Sequence, residues 1–207
     1  SPLFTPRFPE TLFIPRESNV VSQHFTTREI RFFYKFYNNY HKIICQSDDM
    51  MLDLIHHFNI KKDKLIKINN PVDFNFIEEK LENSTKPESY EDGFKNVVAV
   101  GNLSSRKGFD NLLKVFENLK DKNILLHVLG DGKDKDLLCE MKGNLGLKNV
   151  IFHGVQKNPY PFLKFSDLFI LSSRYEGFPN VLLEAGACGT YSLANNCKGG
   201  INEIIQP

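Results

Sequence analysis

The fold class this chain predicts is α/β with a parallel sheet, and three observations lead there. From Val97 onward, short apolar runs alternate with amphipathic stretches of helical period, the arrangement that builds parallel sheets. Glycine-bearing loops at Gly101, Gly130 and Gly177 follow apolar runs, on the side where open α/β sheets bind ligands. The 207 residues, 41% apolar and 25% charged, have the balance of a globular protein large enough for about one and a half domains.

The first apolar run, Thr11-Leu12-Phe13-Ile14, reads as a strand, and Arg16-Glu17-Ser18-Asn19 as the polar loop after it. From Arg28 to Asn39, Ile30, Phe33, Tyr34 and Tyr37 recur at helical spacing with Arg28, Arg31 and Lys35 between them. Such a stripe is either core with a solvated opposite face, or an aromatic and basic surface suited to lipid headgroups or an acidic partner. Lys42-Ile43-Ile44-Cys45-Gln46 is a short buried strand, and Ser47 or Asp48 caps a helix running to Phe58. Its neighbours His56 and His57 point to different faces, which argues against joint metal binding. Leu65 to Ile68 is a strand closed by Asn69-Asn70-Pro71, and the polar run 78–95 reads as a linker.

Beyond the linker the sequence predicts strands at 97–100, 124–129, 150–152, 168–171 and 190–194. Helices are predicted at 109–119, 135–143, 161–165 and 180–187, with a further start at Ile201. A chain that opens inside apparent structure and stops in a fresh helix is expected to be a fragment.

Bulk properties narrow the function classes. A formal net charge of +1 gives no field that implies nucleic acid as a partner. Cys45, Cys139, Cys188 and Cys197 match neither a zinc ribbon nor a CxxC pair, and are expected to be buried free thiols of a reducing cytosol. No apolar run reaches the roughly 18–20 residues that span a bilayer.

The chemistry concentrates in two loops. Glu176-Gly177-Phe178-Pro179 leads into the predicted helix that carries Glu184, so two carboxylates flank a helix N-terminus. Free N–H groups there suit phosphate, and carboxylates accept hydrogen bonds from hydroxyls; a nucleotide sugar carries both groups. The second loop, Gly101-Asn102-Leu103-Ser104-Ser105-Arg106-Lys107-Gly108, resembles a phosphate cradle. It is neither GxxxxGK[ST] nor GxGxxG.

Taken in order, Asn70-Pro71-Val72-Asp73, Gly101 to Gly108, Val128 to Gly132, Phe152-His153-Gly154, Glu176 to Glu184, and Gly199-Gly200 before Glu203 resemble the retaining GT-B glycosyltransferases of family 4, the group 1 glycosyltransferases. The match covers about residues 40 to 206 and includes the family's two glutamates separated by seven residues. The resemblance implies two Rossmann-like domains: 1–69 as the incomplete C-terminal part of an acceptor domain, 70–95 as linker, and 96–207 as a donor-binding domain truncated at its end. It implies Lys107 against the donor diphosphate, Glu184 on the ribose hydroxyls and Glu176 against the transferred sugar, with Glu176 and Lys107 as the catalytic pair. Gly101 and the backbone N–H groups of Phe178, Asn180 and Val181 would line the phosphates. The family's arginine stands as Asn102 here, and Arg106 is the candidate to supply its charge.

The reaction implied is transfer of a hexose or N-acetylhexosamine from a UDP-sugar or GDP-sugar to a glycan or lipid-linked acceptor. It retains configuration and needs no metal or cofactor, since fixed cations and a helix N-terminus stabilise the departing diphosphate. Cytoplasmic placement, with peripheral contact at the inner face of a membrane, goes with it. Glu176 as a covalent nucleophile is the other chemistry available. His153 is either a base or a structural residue at a strand end. Two other readings stay open: a nucleotide-sugar epimerase of the same fold, and a donor-binding module without activity of its own.

Overall fold

A computed structural model describes residues 10–24 and 27–205. They fall into two compact units. The first takes the chain up to Pro71, then Tyr175–Pro179 and the residues from Asn196 on; the second is Val72–Arg174 with Asn180–Asn195.

In the second unit five parallel strands stand in the order β5-β4-β3-β6-β7: β3 (Lys95–Val100), β4 (Ile124–Leu129), β5 (Val150–Gly154), β6 (Leu168–Leu171) and β7 (Ser192–Ala194). The chain starts in the middle at β3, adds β4 and β5 on one side, then crosses to add β6 and β7 on the other. Between β3 and β6 the order reverses, and ligands of doubly wound sheets bind at such a switch point, outside the strand carboxyl ends. Helix α5 (Phe109–Glu117) buries Phe109, Leu112, Leu113 and Phe116 against Val97, Ala99, Leu126 and Val128. The remaining helices of this unit are α4 (Phe74–Leu81), α6 (Lys135–Asn144), α7 (Tyr160–Lys164) and α8 (Asn180–Ala187).

The first unit has a two-stranded parallel sheet, β1 (Ile43–Cys45) beside β2 (Leu65–Lys67), with Ile43 opposite Leu65. Around it stand α1 (Val21–His24), α2 (Arg28–Tyr34), α3 (Asp48–Phe58) and α9 (Ile201–Ile204). Ser47 caps α3 by accepting from the Met50 N–H at 3.3 Å, as expected from its position. Ile43, Cys45, Met50, Leu54, Phe58 and Tyr34 lie in its core.

Four local expectations change. The strand predicted at Thr11–Ile14 is displaced: Ile44 N–H bonds Pro15 O and Glu17 N–H bonds Ile44 O, both at 2.9 Å, so the chain meets β1 only around Arg16. The helix predicted to Asn39 stops at Tyr34, and Tyr37–Asn39 form a separate 3-10 turn. The stretch 70–95 contains α4, whose first turn is fixed by the Asp73 carboxylate accepting from the Phe76 N–H at 2.9 Å. All four cysteines are free, but only Cys45 is buried; Cys139 lies exposed on α6.

Candidate functional site

At the carboxyl rim of the second unit's sheet, the loops after β3, β4 and β6 interlock through backbone. Gly108 lies in the left-handed region at φ +67°, and a Cβ on it would stand 2.2 Å from Ser172 O. Gly130, at φ +132°, approaches Gly101 so closely that a Cβ would stand 2.0 Å from Gly101 O. Any side chain at either position is both strained and in collision. Ser172 Oγ donates to Lys107 O at 2.8 Å, and the Arg174 N–H donates to Arg106 O at 2.8 Å. The Arg174 guanidinium takes the Asp110 carboxylate in a fork, at 2.8 and 2.6 Å, and also donates to Ser105 O. The bond from Arg174 holds the Asp110 carboxyl below its ordinary value. Arg174 is thus a brace for the 101–108 loop that sequence reasoning missed; no spacing in the sequence pairs it with Asp110.

Inside that frame Lys107 runs back over Gly101, with its Cε 3.2 Å from where a Gly101 Cβ would stand. Arg106 and Lys107 are both half-buried in the 3-10 turn that precedes Gly108. Beside them a cleft of about 270 Å³ opens past the ends of β3, β4 and β5, lined by Gly101, Asn102, Gly130, Asp131, Gln156 and Pro159. Asn102, where the resemblance leads one to expect arginine, lines this cleft. Asp131 is committed within the rim: it accepts from the Gly132 N–H at 2.7 Å and Lys135 Nζ at 2.8 Å, and these bonds lower its pKa.

The other half of the expected donor set lies on α8. That helix starts at Asn180, one residue beyond Pro179, and buries Leu182 and Ala185. Asn180 is exposed and Val181 half-buried. Glu184 is half-buried too; burial raises its pKa, and its charge adds to the burial that raises the Tyr160 phenol on α7.

Glu176 and Phe178 belong to the first unit. Glu176 is 4% exposed, and its N–H bonds Lys198 O at 3.0 Å. The Phe178 ring lies against Gly200, whose N–H bonds Gly177 O at 2.8 Å. The same segment is tied to α3 and β2: Gly199 N–H donates to Asp49 at 2.8 Å, while Glu203 accepts from Asp48 N–H at 2.7 Å and from Lys67 and Asn69, each at 3.2 Å. The expected residues therefore form three groups, Gly101-Arg106-Lys107, Asn180-Val181-Glu184 and Glu176-Phe178.

His153 stands in a polar row that crosses the strands. Its Nε2 lies 3.0 Å from His127 Nδ1, and His127 Nε2 lies 3.0 Å from Asn96 Oδ1. An amide oxygen only accepts, so His127 carries its proton on Nε2 and His153 donates from its own Nε2. Tyr90 packs 4.3 Å from the His127 ring and bonds Phe162 O and Ser166, each at 2.7 Å. Burial drives the His127 pKa down to about 4. Sequence reasoning overlooked this row, although a histidine in the apolar run Ile124–Leu129 was its visible signal.

A 3-2-1-4-5 parallel sheet with a cation-bearing glycine loop at its switch point defines a Rossmann-like α/β unit. Residues 80–207 match the family model described as Glycosyl transferases group 1, and the chain belongs to that family. It is 33% identical over 181 residues to an uncharacterized glycosyltransferase of Methanocaldococcus jannaschii, covering 84% of this chain and 44% of that one. It is 29% identical over 165 residues to the N-acetylgalactosamine-N,N'-diacetylbacillosaminyl-diphospho-undecaprenol 4-alpha-N-acetylgalactosaminyltransferase of Campylobacter jejuni, covering 79% and 43%. The chain thus spans less than half the length of both relatives. Among solved structures, Anabaena HepE in complex with UDP matches with a TM-score of 0.81 at 18% identity, over 100% of this chain and 59% of that one. The fold is the Rossmann-like α/β arrangement of GT-B glycosyltransferases. Among the described residues, no helix is long and apolar enough to cross a membrane.

Proposed function

We propose that this chain carries the nucleotide-sugar site of a glycosyltransferase moving a hexose or N-acetylhexosamine from a UDP-sugar or GDP-sugar to a glycan or lipid-linked acceptor. The observation that carries the reading is the braced 101–108 loop at the switch point, with Lys107 laid over Gly101 beside an open cleft. In this reading Lys107 and Arg106 neutralise the diphosphate, and the first N–H groups of α8 bind phosphate oxygens. The half-buried Glu184 accepts from the ribose hydroxyls, and Glu176 keeps the role that the resemblance gives it, against the transferred sugar.

The chemistry follows from where charge develops. Breaking the bond from sugar to phosphate leaves negative charge on the nucleoside diphosphate, and cations fixed beforehand stabilise it as it forms. We assign transfer with retention and without a metal. Attack comes on the face the leaving group departs from, with the phosphate helping to take the acceptor proton. Relatives named for a diphospho-undecaprenol substrate and for lipopolysaccharide core biosynthesis support a lipid-linked or glycan acceptor, and work beside a membrane is part of this proposal.

Titration calorimetry with UDP and GDP tests the donor site. Glu184→Ala and Lys107→Ala should each weaken binding of the preferred nucleotide by about 1–3 kcal/mol, the scale of a lost charge-assisted hydrogen bond. Unchanged affinity for both nucleotides in both variants would overturn the assignment. The chain's span of under half of its relatives favours a second reading, a donor-binding module that does not turn over alone. UDP binding with no hydrolysis of or transfer from any UDP-sugar would select it, and an epimerised nucleotide sugar as product would point to an epimerase.

A further inference from the structure

We infer that the outward face of α2 is a docking surface for an anionic lipid bilayer. The helix turns aromatic rings as well as charges to water, where ordinary surface helices present polar residues. Its inner side is spent on the first unit's core, where Tyr34 is buried and Ile30 packs. Its outer side carries Phe32 and Phe33, which remain 52% and 48% exposed. Lys35 and Phe36 continue the turn, and Phe32 gathers its neighbours edge-on, with Phe33 at 6.0 Å and Phe36 at 5.4 Å between ring centroids.

Cations flank these rings. Arg28 lies one turn before Phe32 and Arg31 one turn before Lys35, so helical spacing puts all three on the arc beside the phenylalanines. All three are exposed, and the Lys35 ammonium stands 6.0 Å from the Phe32 ring centroid. Glu29 is the one acidic residue of this helix. This face therefore offers a stripe of aromatic rings edged by cations. It fits a plane with phosphates outside and hydrocarbon beneath, where rings enter the acyl boundary and cations stay at the headgroups. This inference does not depend on the donor site.

Sedimentation with vesicles tests it. The chain should partition onto equimolar phosphatidylglycerol and phosphatidylcholine vesicles about tenfold more strongly than onto phosphatidylcholine alone, and lose that preference in high salt. Phe32→Ser with Phe33→Ser should cut binding about fivefold or more. Arg28→Gln, Arg31→Gln and Lys35→Gln together should remove the preference for anionic lipid. Because these side chains are exposed, both variants should melt like the parent and keep its UDP affinity, which separates this surface from the donor site. Equal partition onto both vesicle types, or wild-type binding by the phenylalanine variant, would overturn the inference. So would a dimer in vesicle-free solution that the phenylalanine variant dissolves, which would give the face to a second copy of the chain.

Discussion

The second unit's interior is apolar around Leu126, Val128 and Phe116, with one polar row, Asn96, His127 and His153, running across three strands. The first unit, built on the β1–β2 sheet, adds carboxylate ties to its own apolar core. Asp53 is buried and accepts from the Ser22 N–H at 2.9 Å and from its hydroxyl. Glu17 takes the Tyr34 hydroxyl at 3.1 Å, and Glu203 gathers Asp48, Lys67 and Asn69. Both units therefore have an apolar core, and the first adds to it hydrogen bonds accepted by a buried Asp53 and a half-buried Glu17.

The largest effect expected from this difference is on volume. Phe169→Ala, at a fully buried position in β6, should cost about 3–5 kcal/mol, read as lost hydrogen-exchange protection across β3, β4 and β6. Protection that survives in those strands would break the contrast. Next comes backbone fit at the rim: Gly108→Ala should cost about 2–4 kcal/mol in urea unfolding and weaken UDP binding.

Acidification should divide the units more finely. His127 is held neutral, with a pKa near 4 against an ordinary 6.5, so the unfolded chain binds the extra proton first. Its contribution is complete above about pH 6.5 and lost as pH falls toward 4, amounting to about 2 kcal/mol by pH 5. The lowered carboxyls of Asp110 and Asp131 withdraw stability in the same direction at still lower pH. In the first unit, burial raises Glu17, so its folded form binds the proton more readily and gains as pH falls. Hydrogen exchange at pH 7 and pH 5 should show β4 losing more protection than β1, and Glu17→Gln should erase the gain at β1. Equal losses would remove the distinction. The smallest effect sharpens the meaning of the rim glycines. Gly186, on α8 with open space around its missing side chain, should gain about 0.5–1 kcal/mol on substitution by alanine, measured by thermal melting.

The alternation of strands and helices from Val97 onward was legible because each element carries its own period, and the cap at Ser47 because capping is local. Helix α4 was hidden by the charged residues Glu78, Glu79 and Lys80, although Asp73 supplied a start signal. The pairing of residues 15–17 with β1 depends on a distant strand, so the apolar run before it misled. In the candidate site, residue types were readable and mutual fit was not. Lys107 and Glu184 could be named from motifs, whereas the fork of Arg174 on Asp110 and the contact of Gly130 with Gly101 exist only after folding.

The first unit is discontinuous in sequence, and this restricts how its genes can be recombined. A crossover at residue 71 would separate β1, β2 and α3 from Glu203, which holds the Asp48 N–H, Lys67 and Asn69, and from Gly199, which holds Asp49. A C-terminal half exchanged between relatives in this way would bring a foreign tail to a home front end. Exchanges that keep residues 196–205 with the partner segment of the same parent should be the ones that leave folded progeny.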